Sequence, residues 1–173
     1  MEVSMSDADA LRAVQAPIKK RYRERPREAR VTLRAEGRLG EGLSCRVETG
    51  KALVTAGLHP ATGGTGEAAC SGDMLLEALV ACAGVTLSAV ATALEIPLRG
   101  AVVRAEGDLD FRGTLGVSKE APVGFDGIRL HFDLDTEAPE ERIEQLLKLT
   151  ERYCVVYQTL CRPTDVRVTR KNY

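Results

Sequence analysis

Cys82 and Cys154 are the residues whose type and placement can do chemistry in this chain. Cys82 lies inside an apolar, small-residue run from Met74 to Val90. Cys154 lies far downstream, in Tyr153-Cys-Val-Val-Tyr157. Neither belongs to a Cys-x-x-Cys. A pair of distant cysteines in a reduced protein reads as one thiol that reacts with an oxidant and one that resolves the product, the pattern of thiol peroxidases. The plainer reading of a cysteine on an apolar helix is a small buried hydrophobe. Cys82 lies more than two turns past the start of its helix, beyond reach of that helix's own dipole. Burial raises a thiol's pKa. A reactive Cys82 therefore needs an imported positive charge, for which Arg34 and Arg38 are the candidates.

The other thiols carry weaker signals. The chain has five cysteines, an odd number, so they cannot all pair within it. Cys45 alternates with polar neighbours in an expected strand and reads as structural. Cys70 falls in a loop and is a possible competing thiol. Cys161 shares a helix face with Cys154. Only two histidines are present, His59 and His131, with no tight ligand pair, so the sequence offers no metal centre. The loop His59–Glu67 is glycine-rich but lacks the Gly-Lys-[Ser/Thr] of a phosphate cradle.

Composition narrows the class. At 173 residues the chain can form one domain with a core of its own. A net charge of -1, 4% aromatic residues and no Trp argue against a nucleic-acid partner. No charged segment leads into an apolar run at the N-terminus, so a cytoplasmic location is expected. The run Met74–Ile96 is long enough to span a membrane. Its Glu77, its richness in Ala, Val, Thr, Ser and Gly, and the lack of flanking Lys/Arg clusters favour a buried core helix instead.

The elements that must position the thiols follow from periodicity. Residues 1–29 read as a basic arm, Lys19 to Arg30 being rich in Lys and Arg and interrupted by Pro17 and Pro26. From residue 30 short strands are expected at Val31–Ala35, Leu43–Glu48 and Ala52–Thr55, with a turn at Gly37–Gly42. Ser71 is placed to cap the long helix, Asp73 to complement its dipole, and the helix should stop before Pro97. Ala101–Phe111 reads as a strand with a bulge at Gly107, and Ile128–Leu134 as a strand with one wet face. Thr136 is placed to cap a helix through Pro139–Leu149. A shorter helix holds Cys154–Cys161, and Val166–Arg170 is a closing strand. The whole is α+β, with antiparallel strands around central helices.

Two segments, in this order, resemble one family. Ser71-Gly-Asp-Met-Leu-Leu-Glu-Ala-Leu-Val-Ala-Cys82 resembles the central helix of the OsmC/Ohr family, and Glu151-Arg-Tyr-Cys-Val-Val-Tyr-Gln-Thr-Leu160 is similar to its second cysteine motif. The resemblance covers residues 30–170. It implies an intertwined homodimer and a cysteine peroxidase acting on organic hydroperoxides and, less well, on hydrogen peroxide. Cys82 corresponds to the peroxidatic cysteine and Cys154 to the resolving one. The family's catalytic arginine corresponds to Arg38. The implied product is a Cys82–Cys154 disulfide, reduced by an external dithiol that in the family is often a lipoylated protein, with no bound cofactor.

Three positions depart from the pattern. The carboxylate near the helix start, which pairs with the arginine, falls at Gly72, with Asp73 as the adjacent substitute. Proline after the second cysteine is Val155, and the family's serine position is Tyr157. These departures support an alternative, a diverged dimer that binds a small apolar ligand without turnover.

Overall fold

The computed structural model describes Lys20, Glu24 and residues 36–39, 44–48, 53–116 and 118–171, with side chains from residue 54 onward and at Lys20 and Glu24. The basic arm apart from Lys20 and Glu24, the strand expected at Val31–Ala35, Arg34, and the side chains of Arg38 and Cys45 lie outside the described residues.

Strands β1 (Glu36–Leu39), β2 (Ser44–Glu48) and β3 (Leu53–Gly57) form an antiparallel meander. A two-residue strand, β4 (Ala69–Cys70), adds to β3 in parallel. The expected turn at Gly37–Gly42 is shorter than its glycines suggested. Gly37, Arg38 and Leu39 stand opposite Val47, Arg46 and Cys45 in the β1–β2 ladder. Ladder pairing outweighs the entropic cost of a strand glycine, which is only about 0.5–1 kcal/mol.

Helix α1 (Ser71–Ala93) follows β4 directly. Ser71 does not cap it. Pairing of Ala69 and Cys70 with Ala56 and Gly57 makes Cys70 the last extended residue, so Cys70 occupies the N-cap position and Ser71 is already helical. At the other end Arg142 donates to the Leu94 carbonyl, a cation on the helix's negative terminus.

Strands β5 (Gly100–Leu109) and β6 (Phe125–Asp135) pair as a long antiparallel ribbon, joined through the one-turn helix α2 (Phe111–Thr114). The ribbon's irregularity falls between Asp108 and Leu109, where Asp126 on β6 is the extra residue, and not at Gly107. Gly107 has a different use. A Cβ there would sit 2.5 Å from the Phe125 ring, so the glycine admits that ring against the strand. The outer face of the ribbon carries ion pairs, Arg104 with Asp133 and Arg129 with Glu106 and Asp108. The inner face, with Val103, Ala105, Leu130 and Phe132, turns towards the helices.

Helices α3 (Glu140–Tyr153) and α4 (Val155–Cys161) complete the fold. Thr136 is not the α3 cap. Its hydroxyl donates to the Pro97 carbonyl at 2.7 Å and accepts the Ala138 N–H, tying the connector to the end of α1, and Pro139 holds the N-cap position. The expected closing strand at Val166–Arg170 has no ladder partner among the described residues, and Val166 and Val168 are 81% and 93% exposed.

The core has two centres along α1. Leu87, Val90, Ala91, Ile96 and Leu146 form one; Leu79, Ala83 and Cys154 form the other. The expectation of a wholly buried apolar helix holds only in part. Its length and composition would suffice to cross a membrane, and this chain buries 28% of its most apolar stretch. Leu146, fully enclosed against α1, fixes α3 in place. Leu146→Ala is expected to destabilise the fold by about 2–5 kcal/mol, through lost burial and the cavity left behind. Urea unfolding checks this; a loss under about 1 kcal/mol would mean that α3 is not anchored there.

Candidate functional site

The two cysteines separated in sequence meet where α3 breaks into α4. Cys154 has an extended backbone (φ -72°, ψ 110°) between the helices. Its N–H makes the last bond of α3, to the Thr150 carbonyl at 2.9 Å. Its carbonyl makes the first bond of α4, accepting the Gln158 N–H at 2.9 Å. The Gln158 side chain also donates to the Glu151 carbonyl at 2.9 Å, stapling the break. One residue therefore turns the chain with no loop.

That break leaves the first N–H groups of α4 without helical acceptors, as at any helix start. They point at Cys82. Burial acts to raise the Cys82 thiol, but hydrogen bonds from the Val156 N–H, the Cys154 thiol and the Val155 N–H, with the nearby Thr86 hydroxyl, together bring it below the ordinary thiol value. The Thr86 hydroxyl also lies 2.7 Å from the Cys82 carbonyl, one turn back on α1. Cys154 shifts the opposite way. Burial raises it most, its hydrogen bond and proximity to the Cys82 anion raise it further, and the Tyr157 and Val156 N–H groups offset only part of this. Cys154 is 1% exposed, whereas Cys82 is half-buried. The pair is thus chemically unequal: its surroundings favour the anion on Cys82 and disfavour it on Cys154.

Asp73 is exposed in the first turn of α1, nine residues before Cys82 and so about 13 Å away along the axis at the usual rise. Arg38 lies on β1, not in a turn, opposite Arg46. At Gly72 a Cβ would be 3.5–3.6 Å from Phe125, Leu109 and the Cys70 sulfur, an apolar setting for a position where the resemblance implies a carboxylate. Cys70, Cys82, Cys154 and Cys161 are all free thiols. The glycine-rich loop spends its own donors: Thr62 and Gly64 N–H bond the His59 carbonyl, and Gly63 N–H the Pro60 carbonyl. Among the described residues no group of His, Cys, Asp and Glu could hold a metal ion.

The residues missed in the sequence are Val155 and Val156, which act through backbone and not side chain. The only available signal was negative: the family's proline is absent after Cys154, so an N–H is present there.

A cleft of about 460 Å³ is walled by Leu79, Phe125, Ile128, Leu130, Phe132 and Tyr157, most of which also belong to the packing around Cys154. Its rim carries Glu151, Leu160 and Cys161.

Val155→Pro tests the backbone donors. The Val155 side chain is mostly exposed, the first helical position suits proline, and the extended Cys154 suits the residue before it. The substitution removes one donor to the Cys82 anion, so the Cys82 pKa rises and its thiolate fraction at neutral pH falls. Alkylation of Cys82 at pH 7, read by peptide mass spectrometry, should slow several-fold and recover at higher pH. An unchanged rate would show that this N–H does not support the anion. In the parent protein Cys82 should label first as pH rises, and Cys154 only above the ordinary thiol range.

Comparisons with known proteins bear on the family and the fold. The OsmC-like protein family matches residues 64–169, more than half of the chain. The fold is similar to that of an OsmC-like protein from Mycoplasma pneumoniae (TM-score 0.65, 19% identity, 76% of this chain and 88% of that one). It is also similar to an organic hydroperoxide resistance protein OsmC from Legionella pneumophila (0.60, 20%, 76% and 90%). A third similar structure is an organic hydroperoxide resistance protein from Elizabethkingia anophelis (0.58, 16%, 76% and 89%). At these identities the structural likeness speaks for the fold alone. No curated protein sequence matches the chain. The matched stretch contains α1, the β5–β6 ribbon and the α3–α4 break, the parts that bring Cys82 and Cys154 together, and the chain belongs to the OsmC-like family.

Proposed function

We propose that this protein is a thiol-dependent peroxidase that reduces organic hydroperoxides, and hydrogen peroxide less well. The observation that carries the reading is the unequal pair: Cys82, whose thiol is lowered by hydrogen bonds, beside Cys154, whose thiol is raised by burial. The Cys82 thiolate attacks the distal peroxide oxygen. The O–O bond breaks, and the leaving alkoxide takes a proton to become the alcohol. Cys82 is left as a sulfenic acid. Cys154 gives up its proton and attacks that sulfur, hydroxide leaves as water, and the two cysteines are joined. The apolar packing around Cys82, with Leu79 and Ala83 beside it, favours alkyl hydroperoxides over small polar ones. Two similar folds are named for organic hydroperoxide resistance, which fits. Arg38 is assigned the guanidinium that steadies the thiolate and peroxide, and Asp73 its carboxylate partner, on the strength of the family resemblance.

The same reading includes a homodimer. It is supported by Val85, Val166 and Val168, which are 73%, 81% and 93% exposed, and by an apolar hollow between α1 and α3 lined by Val85, Ala89, Leu149 and Tyr153. The free thiols fit a reducing, cytoplasmic setting. An external dithiol, a lipoylated protein among the possibilities implied by the family, closes the cycle.

The Phe125–Leu109 packing at Gly72 favours a second reading, an apolar-ligand binder without turnover. Peroxide consumption separates the two. With dihydrolipoamide as reductant, the protein should consume cumene hydroperoxide faster than hydrogen peroxide, and Cys82→Ser should abolish turnover. Equal rates in Cys82→Ser and the parent would remove the peroxidase reading. Val85→Arg should shift the sedimentation coefficient from dimer towards monomer; an unshifted dimer would place the interface elsewhere.

A further inference from the structure

The sulfur that meets the peroxide and the sulfur best attacked by a reductant need not be the same. Cys154 is enclosed with Leu79 and Ala83, and Ile128, Leu130, Phe132 and Tyr157 pack around that group. Leu79, Ile128, Leu130, Phe132 and Tyr157 are also walls of the 460 Å³ cleft. The cleft and the packing around the buried sulfur therefore share these walls. Its rim residues Glu151, Leu160 and Cys161 are exposed. Tyr157 joins the two ends. Its N–H bonds the Cys154 sulfur, and its hydroxyl is within hydrogen-bonding reach of the Glu151 carboxylate and the Cys161 thiol.

Resting on the peroxidase reading, we propose that the reductant enters through this cleft and attacks the Cys154 sulfur of the disulfide, with Tyr157 as the side chain that yields.

Thiol–disulfide exchange is faster when the departing sulfur is the better-stabilised anion. Attack on Cys154 expels Cys82, which the Val155 and Val156 N–H groups are placed to receive. Attack on Cys82 would make Cys154 the first sulfur to leave, into Leu79, Ala83 and their apolar shell where burial disfavours charge; in the proposed route Cys154 leaves only in the second, intramolecular step, with a proton available from the reductant. The walls select the reductant's shape. They are aliphatic and aromatic, so a thin, uncharged dithiol on an apolar stem fits, and Glu151 at the rim opposes anionic thiols.

The step balances as follows. One reductant thiolate bonds to the Cys154 sulfur as the Cys82–Cys154 bond breaks, and the electron pair leaves on Cys82. The second reductant thiol loses its proton and attacks its partner sulfur in the mixed disulfide. Cys154 departs and takes up a proton. The dithiol, two electrons poorer, leaves as its own disulfide.

The test uses the full-length protein oxidised with diamide, which forms the bond without any peroxide step. Brief reaction with the uncharged monothiol N-acetylcysteamine is quenched with acid, alkylated and mapped by mass spectrometry. The adduct should sit on Cys154 and the alkyl group on Cys82. An adduct on Cys82 overturns the proposal, as does failure of diamide to join the two. Separately, Leu160→Trp, which narrows the rim, should slow reduction by dihydrolipoamide roughly tenfold. An unchanged rate also overturns it. Peroxide consumption is measured apart from these, so a protein that shows the Cys154 adduct but no turnover loses the peroxidase reading and not the route.

Discussion

The site depends on one constraint: backbone donors at the start of α4 must end on the Cys82 sulfur. A cysteine in the middle of a buried helix has no claim to be ionised. Its own helix contributes little there, and desolvation opposes the charge. The break at Cys154 reverses this balance. It stops α3 and starts α4 within one residue, and so creates unspent N–H groups beside α1. The same residue that makes the break supplies the second thiol. Position and chemistry are therefore set by a single backbone event.

The remainder of the fold keeps that event in register with Cys82. Leu146 and Thr150 seat α3 on α1, and the Cys154 N–H bonds the Thr150 carbonyl. Gln158 and Glu151 lock the angle between α3 and α4. Gly107 lets the Phe125 ring lie against the ribbon at the cleft wall. The unequal pair then gives direction. Once Cys82 is oxidised, a hydrogen-bonded thiol is already in place, and the remaining motion is the closing of that contact to a bond of about 2.05 Å.

The pairing of Cys82 with Cys154 was legible in the sequence because two motifs flank it. So were the long helix, strands β2 and β3 and the two strands of the ribbon, each carried by a clear period, whereas β1 falls where a turn was expected. The source of the charge was not. The described donors to Cys82 are backbone groups, a thiol and a hydroxyl, which no residue type announces; the expected cations, Arg34 and the Arg38 side chain, lie outside the described residues. Backbone donors carry no residue signature, and no glycine or proline marks the break. Ser71 and Thr136 misled for a related reason. Each is a good capping type, but tertiary partners took precedence: the β3–β4 bridge moved the cap to Cys70, and Pro97 engaged the Thr136 hydroxyl. Val166–Arg170 alternates as a strand should, yet finds no partner in its own chain among the described residues.

The most direct measurement is the disulfide map after one equivalent of tert-butyl hydroperoxide. Peptide mass spectrometry should find a single intramolecular bond, Cys82 to Cys154, with Cys70 and Cys161 still reduced. A Cys82 carried on to sulfinic acid with Cys154 free, or a bond joining any other pair, would contradict the account.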